Sequence, residues 1–238
     1  AGIVFDLSEA VTLYGAYGQG FRPNSGADFA GRPFAPVESE SAEFGLKFEL
    51  LDGDLTGTAA VFSMSQTNVL TADPVNAGFS IALGEAESQG FEFDLAGELP
   101  GDVDLWVSYA YVDAQVARDA IDVNFAGLIR AGDRLINVPE HSLTVLASKD
   151  FEVAGRELEL GAGVQHVGAR LGETATSFEL PAYTTVRLFG DYELTDSVEL
   201  AFEINNLTDE VYYTNSFHRL WVAPGAPRNG SITLRYAF

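Results

Sequence analysis

Alternation of apolar and polar residues, repeated from one end of the chain to the other, is the feature that most restricts its fold. Successive side chains of an extended strand point to opposite faces, so an apolar residue at every second position predicts a strand with one apolar face. The clearest windows lie at residues 43–50, 91–99, 157–164, 186–194, 198–205 and 231–238. A helical period fits none of them as well. The sequence therefore predicts an all-β protein.

The connections between the predicted strands alternate in length. Asp-Gly and Pro-Gly pairs favour tight hairpins, because glycine accepts a positive φ. Short polar turns are predicted at residues 8–10, 52–54, 100–102, 153–156 and 195–197. Longer, less periodic segments lie at about 22–37, 67–83, 118–133, 168–180 and 215–228. Short turns at one end and long loops at the other are typical of bacterial outer-membrane barrels.

Three features favour apolar side chains that face lipid over a soluble sandwich or barrel, which would bury them. The predicted strands run for about 10–14 residues, whereas soluble strands usually have about 5–6. The polar face mixes carboxylates with Gly, Ala and Ser, as expected for a lumen. Aromatic residues recur near strand ends, where membrane girdles lie: Tyr14, Tyr17, Tyr109, Tyr111, Tyr183 and Tyr192. We expect an antiparallel transmembrane β-barrel in the bacterial outer membrane, in contact with its lipid.

Composition and residue spacing exclude several classes of function. The formal charge of −22 argues against a nucleic-acid partner, because phosphate binding needs clustered Lys and Arg. The chain has no cysteine, and its three histidines, His141, His166 and His218, are far apart without ligand spacing. No serine lies in a nucleophile-elbow context. We therefore expect no catalysis, no metal site of the protein's own and no cofactor.

The final strand closes the predicted pattern. Ile232, Leu234, Tyr236 and Phe238 fall on one side of it, and the chain ends on an aromatic residue. An outer-membrane barrel must end in this way, because its last strand shows one face to lipid. We interpret these four residues as a membrane insertion signal for the barrel assembly machinery.

The strand count is informative because bacterial single-chain barrels have an even number of strands. About eleven strands are predicted from residue 3 to residue 238, which would put residue 1 on the extracellular side. Either the count is wrong near residues 206–217, where 205–209 could be a turn or a bend, or the chain is the carboxyl-terminal part of a longer protein. We favour the second explanation.

An ordered series of short motifs resembles the second half of TonB-dependent siderophore receptors. The motifs lie at residues 13–23, 43–47, 68–74, 88–92, 137–141, 205–213 and 224–228. The resemblance implies a barrel of about 22 strands around a plug, which imports ferric siderophores with energy that TonB passes through an amino-terminal box. Residues 1–238 would be the carboxyl-terminal part of that barrel, without the plug domain and the TonB box. Iron would be present only in the bound ferric siderophore.

Aromatic and arginine side chains in the long loops are the candidate ligand contacts, because they can stack on or clamp a large iron chelate. They are Phe21, Arg22, Arg32, Phe125, Arg170, Phe217, Arg219 and Trp221. The alternative for each is that it packs one loop on another. The chelate could be anionic, or a neutral hydroxamate. At the level of the whole protein, a passive porin-like or structural outer-membrane barrel and a soluble β-rich binding module are the alternatives to a receptor.

Overall fold

The structure, a computed structural model, describes residues 1–122 and 127–238. Its strands are β1 (Gly2–Ser8), β2 (Val11–Arg22), β3 (Val37–Leu50), β4 (Leu55–Ala72), β5 (Ser80–Leu99), β6 (Val103–Val116), β7 (Ala120–Ile121), β8 (Leu128–Ile129), β9 (His141–Val153), β10 (Arg156–Val167), β11 (Arg170–Leu171), β12 (Glu179–Leu180), β13 (Tyr183–Thr195), β14 (Val198–Asn205), β15 (Tyr213–His218), β16 (Trp221–Pro224) and β17 (Asn229–Tyr236). A 3-10 turn covers Leu51–Gly53. No helix in the described ranges is long and apolar enough to cross a membrane.

Eleven strands form one antiparallel sheet in the order β1-β2-β3-β4-β5-β6-β9-β10-β13-β14-β17. Each strand pairs with the next long strand along the chain, so the sheet is an up-and-down meander. The predicted count of eleven strands is confirmed. The remaining strands form three small hairpins, β7–β8, β11–β12 and β15–β16, within the long loops. All five predicted short turns lie at one end of the sheet, the turn end, and the long connections lie at the other, the loop end.

Two details of the loop end differ from, or decide between, the sequence predictions. Residues 67–83 are mostly strand, because β4 continues to Ala72 and β5 begins at Ser80. A bulge around Asn68, whose φ is +60°, lets the pairing of β4 with β5 continue. Residues 205–209 form a turn: β14 ends at Asn205, and Asp209 donates its backbone N–H to the Asn206 carbonyl.

One face of the sheet, the apolar face, is continuous across all eleven strands. Its register is clearest in a row of four valines on β6, β9, β10 and β13, in which Val107 pairs with Val145, Val145 with Val164 and Val164 with Val186. Phe48 and Phe93 belong to this face, with ring centroids 6.2 Å apart. Both are only half-buried. The side chains of this face are therefore not packed in a dry interior, as a soluble sandwich would require.

Polar and aromatic side chains mark the limits of the apolar face. At the turn end, the Lys149 amine donates to the carbonyl of Gly101 in a short turn, and Tyr192 donates to the Val153 carbonyl at 3.2 Å. At the loop end, the Tyr109 hydroxyl lies 2.9 Å from His141 Nδ1. Lys and Tyr side chains with an apolar body and a polar tip suit such boundaries.

Two of the six tyrosines predicted for girdles lie on the opposite face, so that prediction is wrong for them. Tyr14 pairs with Gly45 on the polar face and donates to Glu43 at 2.5 Å. Tyr183 is also on the polar face and contacts Tyr212, with centroids 4.4 Å apart. Position near a strand end does not distinguish the two faces, because a shift of one residue reverses the direction of the side chain.

Aromatic rings lie over strand glycines on the polar face. The Phe189 ring covers Gly161, where an added Cβ would lie 2.2 Å from Phe189 Cζ. Tyr14 covers Gly45 in the same way, at 2.7 Å. Glycine at these positions therefore allows a large ring to lie flat against the sheet, so the ring extends less far from the polar face.

Candidate ligand-binding site

Three loops at the loop end are joined by side chain-to-backbone hydrogen bonds. Asn137, in the loop before β9, donates from Nδ2 to the Ser216 carbonyl at 2.7 Å and accepts from the Ser216 N–H at 2.9 Å. Its own N–H donates to the Leu171 carbonyl, and the Ser216 hydroxyl donates to the Gly172 carbonyl. The loops before β9, β13 and β17 therefore form one unit, which we call the loop cluster.

Arg170 is enclosed within the loop cluster, with 2% of its surface exposed. Its Nη2 donates to the carbonyls of Tyr213 and Thr214, and its guanidinium carbon lies 5.6 Å from the centroid of Tyr183. These contacts fix β15 against the top of β13. In this conformation the Arg170 guanidinium binds protein carbonyls, and a ligand contact by Arg170 stays a prediction.

An ion-pair group on Glu173 attaches the β15–β16 hairpin to the loop before β13. Glu173 Oε2 accepts from Arg219 Nε at 2.5 Å, and its Oε1 lies 3.0 Å from His218 Nε2. Burial alone would raise the pKa of the Glu173 carboxyl. The hydrogen bond from Arg219, with the charges of Arg219 and His218, outweighs burial and lowers that pKa below its usual range.

This lowered pKa predicts acid-sensitive attachment of the hairpin. A carboxyl with a lowered pKa in the folded state contributes stability above its ordinary pKa of about 4, and the contribution disappears as the pH falls through the folded-state value. The protection of Tyr213–His218 against hydrogen exchange in the full-length protein, relative to the intrinsic exchange rate at each pH, should therefore be high at pH 7 and lower below about pH 4. In Glu173→Gln this protection should be lower at pH 7 already and should depend less on acid. Equal acid sensitivity in both proteins would contradict this role of Glu173.

The hairpin presents three predicted ligand residues at its tip, two of them aromatic. The rings of Phe217 and Trp221 stack with centroids 5.9 Å apart, and Trp221 is 68% exposed. Arg219 lies beside them, half-exposed. The structure thus brings Arg170, Phe217, Arg219 and Trp221 into one cluster. Hydrogen bonds from Asn137 and Arg170 hold the backbone of β15, and Glu173 holds Arg219. The hairpin that carries the exposed rings is therefore fixed to the rest of the loop cluster.

The other predicted contacts lie elsewhere. Phe21 is exposed on the outer side of β2, in the register of the apolar face, and Arg22 follows it with the opposite orientation. Arg32 is bound within its own loop, where its Nε donates to Asp28 at 2.8 Å. Hydrogen bonds from the backbone and side chain of Arg32 lower the pKa of Asp28. Phe125 lies outside the described residues.

The polar face carries many carboxylates and few cations. Near the turn end, Arg235 pairs with Asp191 at 3.2 Å and also with Glu199. Across the described residues, no group of three His, Cys, Asp or Glu side chains is arranged to hold a metal ion. Sequence reasoning did not select one residue of this face, Arg187, which lines a cavity below the loop cluster. The available signal was its place opposite Val186 and Leu188 in a period-two window, where an arginine points into the predicted lumen.

An antiparallel wall with one apolar and one polar face, short turns at one end and a loop cluster at the other defines a segment of an outer-membrane β-barrel. Residues 1–207 match the family described as TonB dependent receptor-like, beta-barrel, and the chain belongs to that family. This is a family of transport receptors of the bacterial outer membrane, so the predicted family, fold class and localisation are confirmed.

Several relatives extend over the whole chain. It is 42% identical to the metal-pseudopaline receptor CntO of Pseudomonas aeruginosa (strain UCBPP-PA14), over 99% of this chain and 33% of that protein. It is 30% identical to the ferrichrome outer membrane transporter/phage receptor of Escherichia coli K12, over 100% of this chain and 31% of that protein. The crystal structure of the siderophore receptor PiuA from Acinetobacter baumannii shares the fold, with a TM-score of 0.85 at 23% identity over 99% of this chain and 35% of that one. The chain spans about a third of the length of these relatives.

Proposed function

We propose that residues 1–238 are the carboxyl-terminal part of the barrel of a receptor that imports a metal chelate, such as a ferric siderophore, with energy from TonB. The observation that carries the proposal is the loop cluster: a braced platform with exposed Phe217 and Trp221 at one end of a membrane wall. A platform of this kind suits capture of a large solute. The names of the relatives at 42% and 30% identity, a metal-pseudopaline receptor and a ferrichrome transporter, support a metal chelate as the solute.

The proposal implies further domains and partners of the receptor. A plug domain and a TonB box would lie in another part of the same protein, and TonB would act through that part. The apolar face would contact outer-membrane lipid, and the barrel assembly machinery would recognise Ile232, Leu234, Tyr236 and Phe238. The structure has three of these residues on β17, all exposed. The receptor would carry out no catalysis, and iron would be cargo.

Uptake measurements test the proposal against a passive pore. The full-length gene is deleted, and cells grown under metal limitation are supplied with ⁵⁵Fe-ferrichrome, ⁵⁵Fe-ferrioxamine B or metal-loaded pseudopaline. We expect uptake of at least one complex to be lost and to return on complementation only in a strain with functional TonB. Uptake that persists after the deletion, or is restored without TonB, would contradict the proposal. The second result would favour a porin-like barrel.

A further inference from the structure

A cavity of about 670 Å³ opens on the polar face below the loop cluster. Its floor is formed by β6, β9, β10 and β13, and Asn206, Tyr212 and Ala226 of the loop before β17 close it above. The volume is within the range of about 300–1,000 Å³ that holds small molecules. The cavity is separate from the hairpin tip that carries Phe217 and Trp221, and it lies deeper in the wall.

Arg187 is the only charged residue among the described residues that line this cavity. It pairs with Gly163 on β10, and its stem lies over that glycine, where an added Cβ would be 3.1 Å from Arg187 Cγ. The Phe189 ring also lies against the guanidinium, at 4.8 Å from ring centroid to guanidinium carbon. The absence of a side chain at Gly163 and the ring of Phe189 therefore hold Arg187 in a defined orientation.

The guanidinium of Arg187 has unused hydrogen-bonding capacity. It forms an ion pair with Glu203, whose carboxylate lies 3.8 Å from Nη1, a separation longer than a hydrogen bond. Arg187 Nε is buried and has no hydrogen-bond partner within the described part of the chain. A buried N–H without an acceptor is unfavourable, and the Arg fork matches two oxygens of one anionic group.

The other walls of the cavity define the shape of a suitable ligand. Gln165, Thr144 and Thr185 supply uncharged hydrogen-bonding groups beside Arg187, and Trp106 and Tyr212 supply flat aromatic surface. Acidic residues outnumber basic ones in the chain by 35 to 13, so an anionic group gains most in this cavity by lying against Arg187. A molecule that combines an anionic oxygen group with flat apolar surface fits this combination.

We propose that Arg187 binds an anionic oxygen group, a carboxylate or a catecholate, of the imported chelate within this cavity. The inference rests on the proposed import function and names the ligand chemistry of one site in it. The guanidinium donates two hydrogen bonds to the anionic group, while Trp106 and Tyr212 contact the body of the chelate. Chelates with an exposed anionic oxygen group are therefore preferred over neutral hydroxamates.

The test uses the full-length receptor and three ⁵⁵Fe probes: ferric citrate for carboxylates, ferric enterobactin for catecholates and ferrichrome as the neutral hydroxamate. In Arg187→Gln, we expect the Kd and the uptake rate for the carboxylate or the catecholate probe to worsen about 10- to 100-fold, with ferrichrome unchanged. Arg187→Lys should recover part of the loss. Arg235→Gln, on the same polar face but paired with Asp191, is the matched control and should behave like the wild type.

The possible outcomes separate this inference from the proposed function. If the wild type imports none of the three probes and no pseudopaline complex, both the proposed function and the inference about Arg187 are contradicted. If the wild type imports a chelate but Arg187→Gln binds anionic and neutral probes as the wild type does, or weakens all of them equally, the site is wrong and the import function stands. The probe that responds to Arg187→Gln identifies whether the group is a carboxylate or a catecholate.

Discussion

Replacing Val145 with arginine in the full-length receptor is expected to destabilise the folded barrel by about 2–4 kcal/mol. The same replacement at the preceding residue, Thr144, should cost less, about 1 kcal/mol, because Thr144 lines the cavity on the polar face, where the added guanidinium can reach water. Val145 lies at the middle of the apolar face, halfway along β9 between His141 and Lys149. Thr144 lies one residue away on the polar face.

The expected difference arises from what surrounds each side chain. Val145 pairs with Val107 and Val164, so a guanidinium at this position would lie among apolar groups and the acyl chains beyond them. Thr144 pairs with Ser108 and Gln165, where a charge meets polar groups and water. Two successive side chains of one strand thus face the two environments of the barrel, lipid and water.

A further substitution separates lipid from a packed protein core. A core would reject arginine at residue 145 too, but it would also resist a larger apolar residue, because overpacking costs about 1–3 kcal/mol. Val145→Leu should be neutral if that side faces lipid. Urea unfolding of the receptor in lipid vesicles measures all three variants. Equal effects of the two arginine substitutions, or strong destabilisation by Val145→Leu, would contradict the assignment of the faces.

The wall of the barrel could be predicted from the sequence because its signal is local. Alternation with period two depends only on neighbouring residues, and each window, such as that of β10 or β13, carries it independently. Asp-Gly and Pro-Gly turns are equally local. The face on which an individual tyrosine lies is harder to predict. Tyr14 and Tyr183 are predicted for the girdles, but both lie on the polar face. Their contacts, with Glu43 and with Tyr212, depend on the pairing of strands.

The loop cluster could not be predicted, because its contacts join residues that are distant in the chain. Asn137 bonds to Ser216 across 79 positions, and no local pattern indicates that pair. The motifs that suggested the family nevertheless contain asparagines that anchor segments of the loop end. Asn68, Asn137 and Asn206 all have a positive φ, and their side-chain amides donate to backbone carbonyls of neighbouring loop segments. Asparagine suits these positions because it tolerates the left-handed conformation and hydrogen-bonds locally.

Replacing Arg170 with methionine is expected to release the β15–β16 hairpin from the wall. The change leaves the carbonyls of Tyr213 and Thr214 without their donor in a site that is 2% exposed. Hydrogen bonds to a charged group contribute about 1.5–3 kcal/mol each, so local destabilisation of about 3 kcal/mol is expected. Methionine retains much of the volume of the stem, which limits the effect of an empty space.

Hydrogen exchange at the hairpin and chelate binding, measured together, separate a bracing role of Arg170 from direct ligand contact. We expect exchange of Tyr213–His218 in the ligand-free receptor to accelerate about 100-fold, because opening costs correspondingly less free energy, and binding to weaken with it. Arg32→Met is the matched control. Arg32 is exposed and, within the described residues, bonds only inside its own loop, to Asp28, so exchange at the hairpin should not change. If Arg170→Met abolished binding while the ligand-free hairpin stayed protected, Arg170 would instead act on the chelate itself. Such a result would also require the loop cluster to open on binding, because the guanidinium is enclosed when the hairpin is in place.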